Sequence, residues 1–177
     1  MTYGEDQAGE VLRKALVMEA SNPANRGHAW QQCYGYFSST DASDPDMDCL
    51  NLVAYLGCFG MYVRGSWMLQ QSMVIHKEPL IIMRNSQYGP LRDMTRFDDE
   101  TGMLFDILYD EIEMSYLRVR NEYDTKNLMS PILMTKIIHG VFGCIPAFDT
   151  FVVAGLKLSN ISTSLLKTRR QETFKEL

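Results

Sequence analysis

The sequence predicts an all-α protein, with one helical domain of about six to seven helices spanning residues 1–177. Apolar residues recur at spacings of three and four along most of the chain, which is the helical period. Prolines and short polar runs interrupt this pattern repeatedly, and a chain of 177 residues is the size of one ordinary domain. Because neither an internal repeat nor a long linker is visible in the sequence, we expect a single core.

The N-terminal third predicts two helices. Residues 5–20 carry apolar residues between charges, and a Ser-Asn-Pro sequence at 21–23 ends this first helix. The aromatic residues of 28–37 fall on one helical face and predict a second, shorter helix. The following residues, 38–46, are turn formers, so we expect a polar loop there.

Residues 49–63 contain no charge and predict a buried central helix that continues past Arg64 to Leu69. These fifteen residues are too few to span a membrane, which takes about 20, so we expect no membrane partner. Arg64 would then lie inside an apolar helix, where it must pair with an acid, reach the surface or bind a partner. The segment 76–97 is ambiguous between strand and helix, and a small irregular insert is expected there.

Acidic residues concentrate in the helix predicted from residue 98 to about residue 123. Nine acids and two arginines lie between residues 98 and 124, a net charge of −7, whereas the whole chain carries −5. The predicted core side of this helix is apolar: Leu104, Ile107, Leu108, Ile112 and Leu117. Four acids fall within about 60° of one another on another side: Asp99, Asp106, Asp110 and Glu113. We therefore expect a continuous acidic stripe that binds a basic partner.

The C-terminal part predicts three more helices. One spans residues 127–142, with Pro131 suited to its first turn, and another spans residues 147–158. The segment 161–177 predicts a basic amphipathic helix, which permits weak contact with nucleic acid. Its basic residues are Lys167, Arg169, Arg170 and Lys175.

Complete catalytic and metal-binding motifs are missing from the sequence. The residues GMYVRGS at 60–66 have the glycine spacing of a phosphate loop but lack its lysine. The four cysteines contain no C-x2-4-C pair and predict small buried side chains, and the acids lack the Glu-x-x-His pairs of helical metal sites. We expect no cofactor and no metal. The acidic N-terminus, MTYGEDQAGE, has no apolar run and indicates a cytoplasmic protein.

Three stretches of the sequence carry a family resemblance: NPANRGHAWQQCYGYF at 22–37, LNLVAYLGCFGMYVRGSWMLQ at 50–70 and GVFGCIPAFDTFVVAGLK at 140–157. Together they cover about a third of the chain. They resemble a family of small, largely uncharacterised bacterial and mobile-element proteins. The size and acidity are also similar to those of the type II-A anti-CRISPR proteins, which are inhibitors that bind a Cas9 nuclease. This resemblance implies a protein partner and assigns no functional residue.

Two functions remain open from the sequence. The first is a non-enzymatic inhibitor or regulator of a basic partner, such as a Cas9-type nuclease. Its predicted partner-binding residues are Asp99, Asp106, Asp110, Glu113, Arg26 and Arg64. The second is a small helical enzyme of unknown reaction with a site around Arg64, His139 and Asp149, where Cys144 is a candidate nucleophile.

Overall fold

Helices and turns account for the part of the chain that the structure describes. The computed structural model describes residues 10, 13, 14, 17, 21–39, 44–92, 94, 96, 98–119 and 129–158. No β-strand occurs in these ranges, and their α-helices are α1 (Gly27–Ser39), α2 (Pro45–Cys58), α3 (Lys77–Met83), α4 (Asp99–Val119), α5 (Pro131–Phe142) and α6 (Thr150–Leu158). Short 3₁₀ helices lie at Trp67–Gln70, Met73–His76 and Ser86–Leu91. The predicted all-α fold class is confirmed.

Polar side chains begin the first two of these helices. The Asn25 side chain accepts a hydrogen bond from the Gly27 amide at 2.9 Å, and α1 starts there. The Asp44 carboxylate accepts from the Asp46 amide at 3.1 Å and caps α2. Pro45 fits the first position of α2 because the amide at that position needs no partner within the helix. The short helix predicted at 28–37 is confirmed.

The second helix ends earlier than its sequence predicts. Beyond Cys58 the chain leaves the helix, and Gly60 adopts a φ of 72°, a left-handed conformation that favours glycine. The Met61 amide then donates to the Leu56 carbonyl at 2.9 Å, which closes the helix end in the manner of a Schellman motif. The prediction of one helix running on to residue 69 is therefore wrong. This places Arg64 in an exposed turn rather than inside an apolar helix.

Helix α2 lies at the centre of the described helices. It packs against α1, α5, α3 and the 3₁₀ helix Met73–His76. Helix α4 packs on α3 and on the 3₁₀ segments beside it, so it forms an outer layer. The largest fully buried side chains join these layers into one core: Tyr55, Tyr88, Tyr116, Phe105, Phe142, Phe148, Leu52, Leu56, Met68, Leu80, Met83 and Leu91.

A buried ion pair and the hydrogen bond to it connect the first three α-helices. Arg84, at the end of α3, donates from Nε and Nη2 to the two carboxylate oxygens of Asp48 at 2.7 and 2.6 Å. The Tyr36 hydroxyl of α1 donates to the same carboxylate at 2.9 Å, and the guanidinium lies over the Phe37 ring at 5.0 Å. Because Asp48 is only 1% exposed, its charge depends on these partners.

A second buried polar group consists of His76 between two tyrosines. Its Nδ1 lies 2.6 Å from the Tyr116 hydroxyl, and its Nε2 lies 2.5 Å from the Tyr62 hydroxyl. Tyr116 is fully buried, so its hydroxyl proton is satisfied when Nδ1 accepts it. In that tautomer Nε2–H donates to the hydroxyl oxygen of Tyr62, a half-buried residue. Burial lowers the pKa of His76 to about 4, which keeps the ring neutral.

The segment expected to hold an irregular insert is largely helical in its described residues. It contains α3 and the 3₁₀ helix Ser86–Leu91, and the apolar run Leu80 to Met83 belongs to α3. The Tyr88 ring is buried, and its hydroxyl donates to Glu111 of α4 at 2.8 Å. This segment therefore packs against α4 and holds Glu111 by a hydrogen bond.

The C-terminal helices begin close to their predicted positions. Pro131 occupies the first turn of α5, and Gly143 ends that helix with a φ of 68°. The Asp149 carboxylate accepts from the amide of Phe151 and caps α6, which begins at Thr150 rather than at the predicted residue 147. The predicted tail helix at 161–177 lies outside the described residues, and so does most of the first predicted helix.

Candidate protein-binding face

Helix α4 is amphipathic, and its inner side is part of the core. Phe105, Leu108, Ile112 and Tyr116 point inward, and each is 0% exposed. At its start, the Asp98 carboxylate accepts from the Thr101 amide while the Thr101 hydroxyl accepts from the Asp98 amide, each at 3.0 Å. This reciprocal cap fixes where the helix begins and hence which residues face outward.

The outer side of α4 carries large apolar side chains. Met103 is 60% exposed, Ile107 is 50% exposed and Met114 is 49% exposed. At about 100° per residue, these three positions fall within about 40° of one another. They form an apolar ridge along the helix, which we call the α4 ridge. Ile107 was expected in the core, so that prediction is wrong for this residue.

Acidic residues flank the α4 ridge on both sides. Asp99 and Asp110 are exposed at one edge, within about 40° of Met103 around the helix. Glu100 and Glu111 are exposed at the opposite edge. We call the ridge and these four acids the α4 outer face. Its character is therefore mixed, with apolar side chains along the centre and negative charge at the rims.

The predicted acidic stripe is not one continuous exposed surface. Asp99 and Asp110 are exposed, whereas Asp106 is half-buried and one of its carboxylate oxygens is buried. Glu113 is only 7% exposed and accepts a hydrogen bond from the Met129 amide at 3.1 Å. The four acids do share one side of the helix, but that side is exposed to solvent at some of these positions and buried at others.

Contacts from neighbouring segments hold the C-terminal half of the α4 outer face in place. Tyr88 donates to Glu111 from below. Arg118, in the last turn of α4, forms an ion pair with Glu78 of α3. Since both contacts tie α4 to the α3 region, the face is presented on a supported helix rather than on a loop.

The two arginines proposed for partner binding lie away from α4 along the chain. Arg26 is exposed before α1, and its guanidinium lies over the Phe59 ring at 5.4 Å. The same ring lies 5.7 Å from the Nζ of Lys136, which also donates to the Phe59 carbonyl at 2.8 Å. Burial lowers the pKa of Lys136. Arg64 is exposed in the turn before the 3₁₀ helix Trp67–Gln70.

The residues of the alternative enzyme site lie in different local settings. The Nδ1 of His139 donates to the Ile145 carbonyl at 2.7 Å, and its ring stacks on Trp30 with centroids 5.0 Å apart. Asp149 caps α6, and Arg64 lies in its exposed turn. Burial raises the pKa of the Cys144 thiol to about 12, which disfavours the thiolate that a nucleophile needs. These contacts do not join the four residues into a catalytic arrangement.

The cysteines follow their predicted role in part. Cys33 and Cys49 are buried in the core, whereas Cys144 is half-buried and Cys58 is exposed. Among the residues that the structure describes, no cluster of histidine, cysteine and acidic side chains has the arrangement of a metal site. In the same part of the chain, no helix combines the length and the apolar character needed to cross a membrane.

Comparison with known proteins identifies no relative of this chain. No protein-family model, curated protein or solved structure matches this chain significantly. The sequence signal that could have located the α4 ridge was its spacing. Met103, Ile107 and Met114 follow one another at intervals of four and seven residues, which places them on one face of a helix.

Proposed function

We propose that this protein is a non-enzymatic inhibitor or regulator that binds a basic protein partner through the α4 outer face. The partner we propose is a Cas9-type nuclease, on the strength of the sequence resemblance to anti-CRISPR inhibitors. The observation that carries the protein-binding role is the α4 ridge, whose large apolar side chains are each about half or more exposed on a supported helix. Contiguous apolar side chains at a surface mark contact sites more often than isolated ones do.

The apolar part of the face supplies a limited share of the binding free energy. Full burial of a methionine or isoleucine side chain is worth roughly 1.5–3 kcal/mol, so covering half of each ridge residue contributes about 1 kcal/mol apiece. Association costs about 4 kcal/mol or more in lost freedom of motion. The partner must therefore cover more than the ridge, and the acidic rims are the adjoining surface.

Charge gives the face its preference for a basic partner. The chain between residues 98 and 124 carries a net charge of −7, and four of its acids border the ridge. A negative surface steers a positive partner towards it and accelerates the encounter at low salt. A nuclease that holds nucleic acid in a basic channel has a positively charged surface of this kind.

The test is equilibrium binding of a guide-loaded Cas9-type nuclease to the wild-type protein and to the double variant Asp99→Lys/Asp110→Lys. Both acids are exposed, so reversing their charge places no cation in the core. Reversal of Glu113 is unsuitable because it would place a cation at a buried hydrogen-bonded position. We expect the affinity to fall at least tenfold.

The matched control is Glu10→Lys/Asp46→Lys, which changes the net charge by the same amount at exposed acids outside α4. This variant should bind almost as well as the wild type. Equal affinities for all three proteins would contradict a role of the α4 outer face. Absence of binding by the wild type itself would exclude this nuclease as the partner.

A further inference from the structure

We propose that the α4 outer face binds one specific kind of element, an amphipathic helix of a partner protein that is basic along both sides of its apolar seam. This inference rests on the proposed protein-binding function and names the chemistry of the partner. It follows from the spacing of the exposed residues, from the position of the charges and from the flexibility of two of the side chains.

The spacing along α4 is that of a helix that packs against another helix. Met103, Ile107 and Met114 follow one another at intervals of four and seven residues, and these intervals recur along the apolar seam of a coiled coil. From the first to the last, the seam extends about 16 Å along the helix axis. A straight partner helix can follow a seam of this length with apolar side chains at matching intervals.

The charges specify what lies on each side of the partner's seam. Asp99 and Asp110 line one edge of the ridge, and Glu100 and Glu111 line the other. A helix seated on the ridge brings its flanking positions next to these acids, as the flanking positions of coiled coils are brought together. Lysine or arginine at those positions is attracted, whereas glutamate or aspartate is repelled.

The same charges argue against other occupants. A second copy of this chain would bring four acids on each helix close to four like charges on the other. A nucleic acid or an anionic lipid surface would bring phosphates to the same acidic rims. A basic amphipathic helix is the occupant whose apolar and charged parts both match.

Two of the three ridge residues are methionines, which affects how selective the seam is. Methionine is unbranched and flexible, so it adapts to different apolar side chains. We therefore expect the apolar pattern and the flanking charge of the partner helix to determine binding, with little dependence on its individual apolar residues. Partner helices of unrelated sequence but equal pattern should bind with similar affinity.

The experiment measures binding of the full-length protein to fluorescent peptides of about three heptads. The probe peptide has leucine at its seam positions and lysine at its flanking positions. One control peptide has the same composition in scrambled order, and another has glutamate in place of lysine. We expect the probe peptide to bind at least tenfold more tightly than either control peptide. We also expect its affinity to fall as the salt concentration rises, because the acidic rims contribute to the binding free energy and salt screens exposed charges.

The matched protein variants are Met103→Gln/Ile107→Gln on the ridge and Leu69→Gln/Val74→Gln elsewhere. All four side chains are about half exposed or more, so each pair removes similar apolar surface without altering the core. The ridge variant should bind the probe at least tenfold more weakly, while the other variant should bind as the wild type does. Equal binding of the scrambled peptide, or equal binding by both variants, would overturn the proposal.

Two further results would show that the α4 outer face binds something other than a partner helix. A concentration-dependent dimer that the ridge variant abolishes would show that a second copy of the chain binds there. Stronger probe binding after Lys167, Arg169, Arg170 and Lys175 are all replaced by glutamine would show that the chain's own basic segment occupies the face.

The two proposals can be overturned separately. Probe binding without nuclease binding would exclude only the Cas9-type nuclease as the partner. Nuclease binding that the ridge variant leaves unchanged would exclude the α4 ridge as a helix-binding seam.

Discussion

Acidification should destabilise this fold through one buried side chain, His76. The unfolded chain takes up a proton on this imidazole near pH 6.5, whereas the folded protein takes it up only near pH 4, because burial lowers its pKa. The neutral ring therefore contributes stability that is fully present above pH 6.5. That stability is lost as the pH falls from 6.5 towards 4.

The size of the effect follows from the two pKa values. A difference of about 2.5 corresponds to roughly 3 kcal/mol of unfolding free energy, which is a large part of the 5–15 kcal/mol that typical domains possess. The tyrosines on either side do not titrate in this range, because burial raises the pKa of Tyr62 to about 12 and raises the pKa of Tyr116 well above its usual value. Protonation also fills the Nδ1 position that accepts the Tyr116 proton.

Urea unfolding monitored by circular dichroism, at steps between pH 7.5 and pH 4, measures this loss. The variant His76→Gln lacks the titrating ring, and subtracting its curve removes the contribution of the carboxylates. We expect the difference between wild type and variant to shrink by roughly 3 kcal/mol over this range. Parallel curves, or an NMR titration of the His76 ring with a midpoint near 6.5, would show that burial does not keep this ring neutral.

Two further predictions concern stability and use thermal unfolding as the measurement. Replacing Gly140 by alanine places a Cβ 2.7 Å from the buried Tyr55 ring, and this overpacking should cost about 1–3 kcal/mol. In Gly57→Ala the added carbon has no heavy atom within 4 Å beyond its chain neighbours and the backbone of its own helix, so this change should be neutral or stabilise α2 by up to about 1 kcal/mol. Similar melting temperatures for both variants would contradict the packing. Replacing Arg84 by methionine leaves the buried Asp48 charge without its ion pair and should cost about 3–5 kcal/mol, and an unchanged melting temperature would contradict that role.

Helix positions could be predicted from the sequence where a local signal sets them. Pro131 marks the first turn of α5, and the aromatic spacing of 28–37 marks α1. The end of α2 was missed because the uncharged run continues beyond it, although Gly60 provided a signal for the turn. A glycine can either continue a helix or end it, and the packing of the segment that follows decides between these outcomes.

The candidate face could be predicted only in part. The acidity of the α4 region is plain from the sequence, but which side of the helix faces solvent depends on the segments that pack against it. Ile107 has the pattern of a core residue and lies at the surface, while Glu113 has the pattern of a surface residue and is buried against the Met129 amide. The buried contact of Asp48 with Arg84 joins residues 36 positions apart, and no local pattern predicts such a pairing.

Photo-crosslinking from the α4 ridge shows whether this surface contacts the partner. A photoreactive amino acid is incorporated at position 107, and at position 69 as a control, since both side chains are 50% exposed. Each protein is irradiated with the guide-loaded Cas9-type nuclease. We expect a cross-linked complex from position 107 and none from position 69. A cross-link from position 69 alone would rule out the α4 outer face as the binding site, and so would a stable complex that gives no cross-link from position 107.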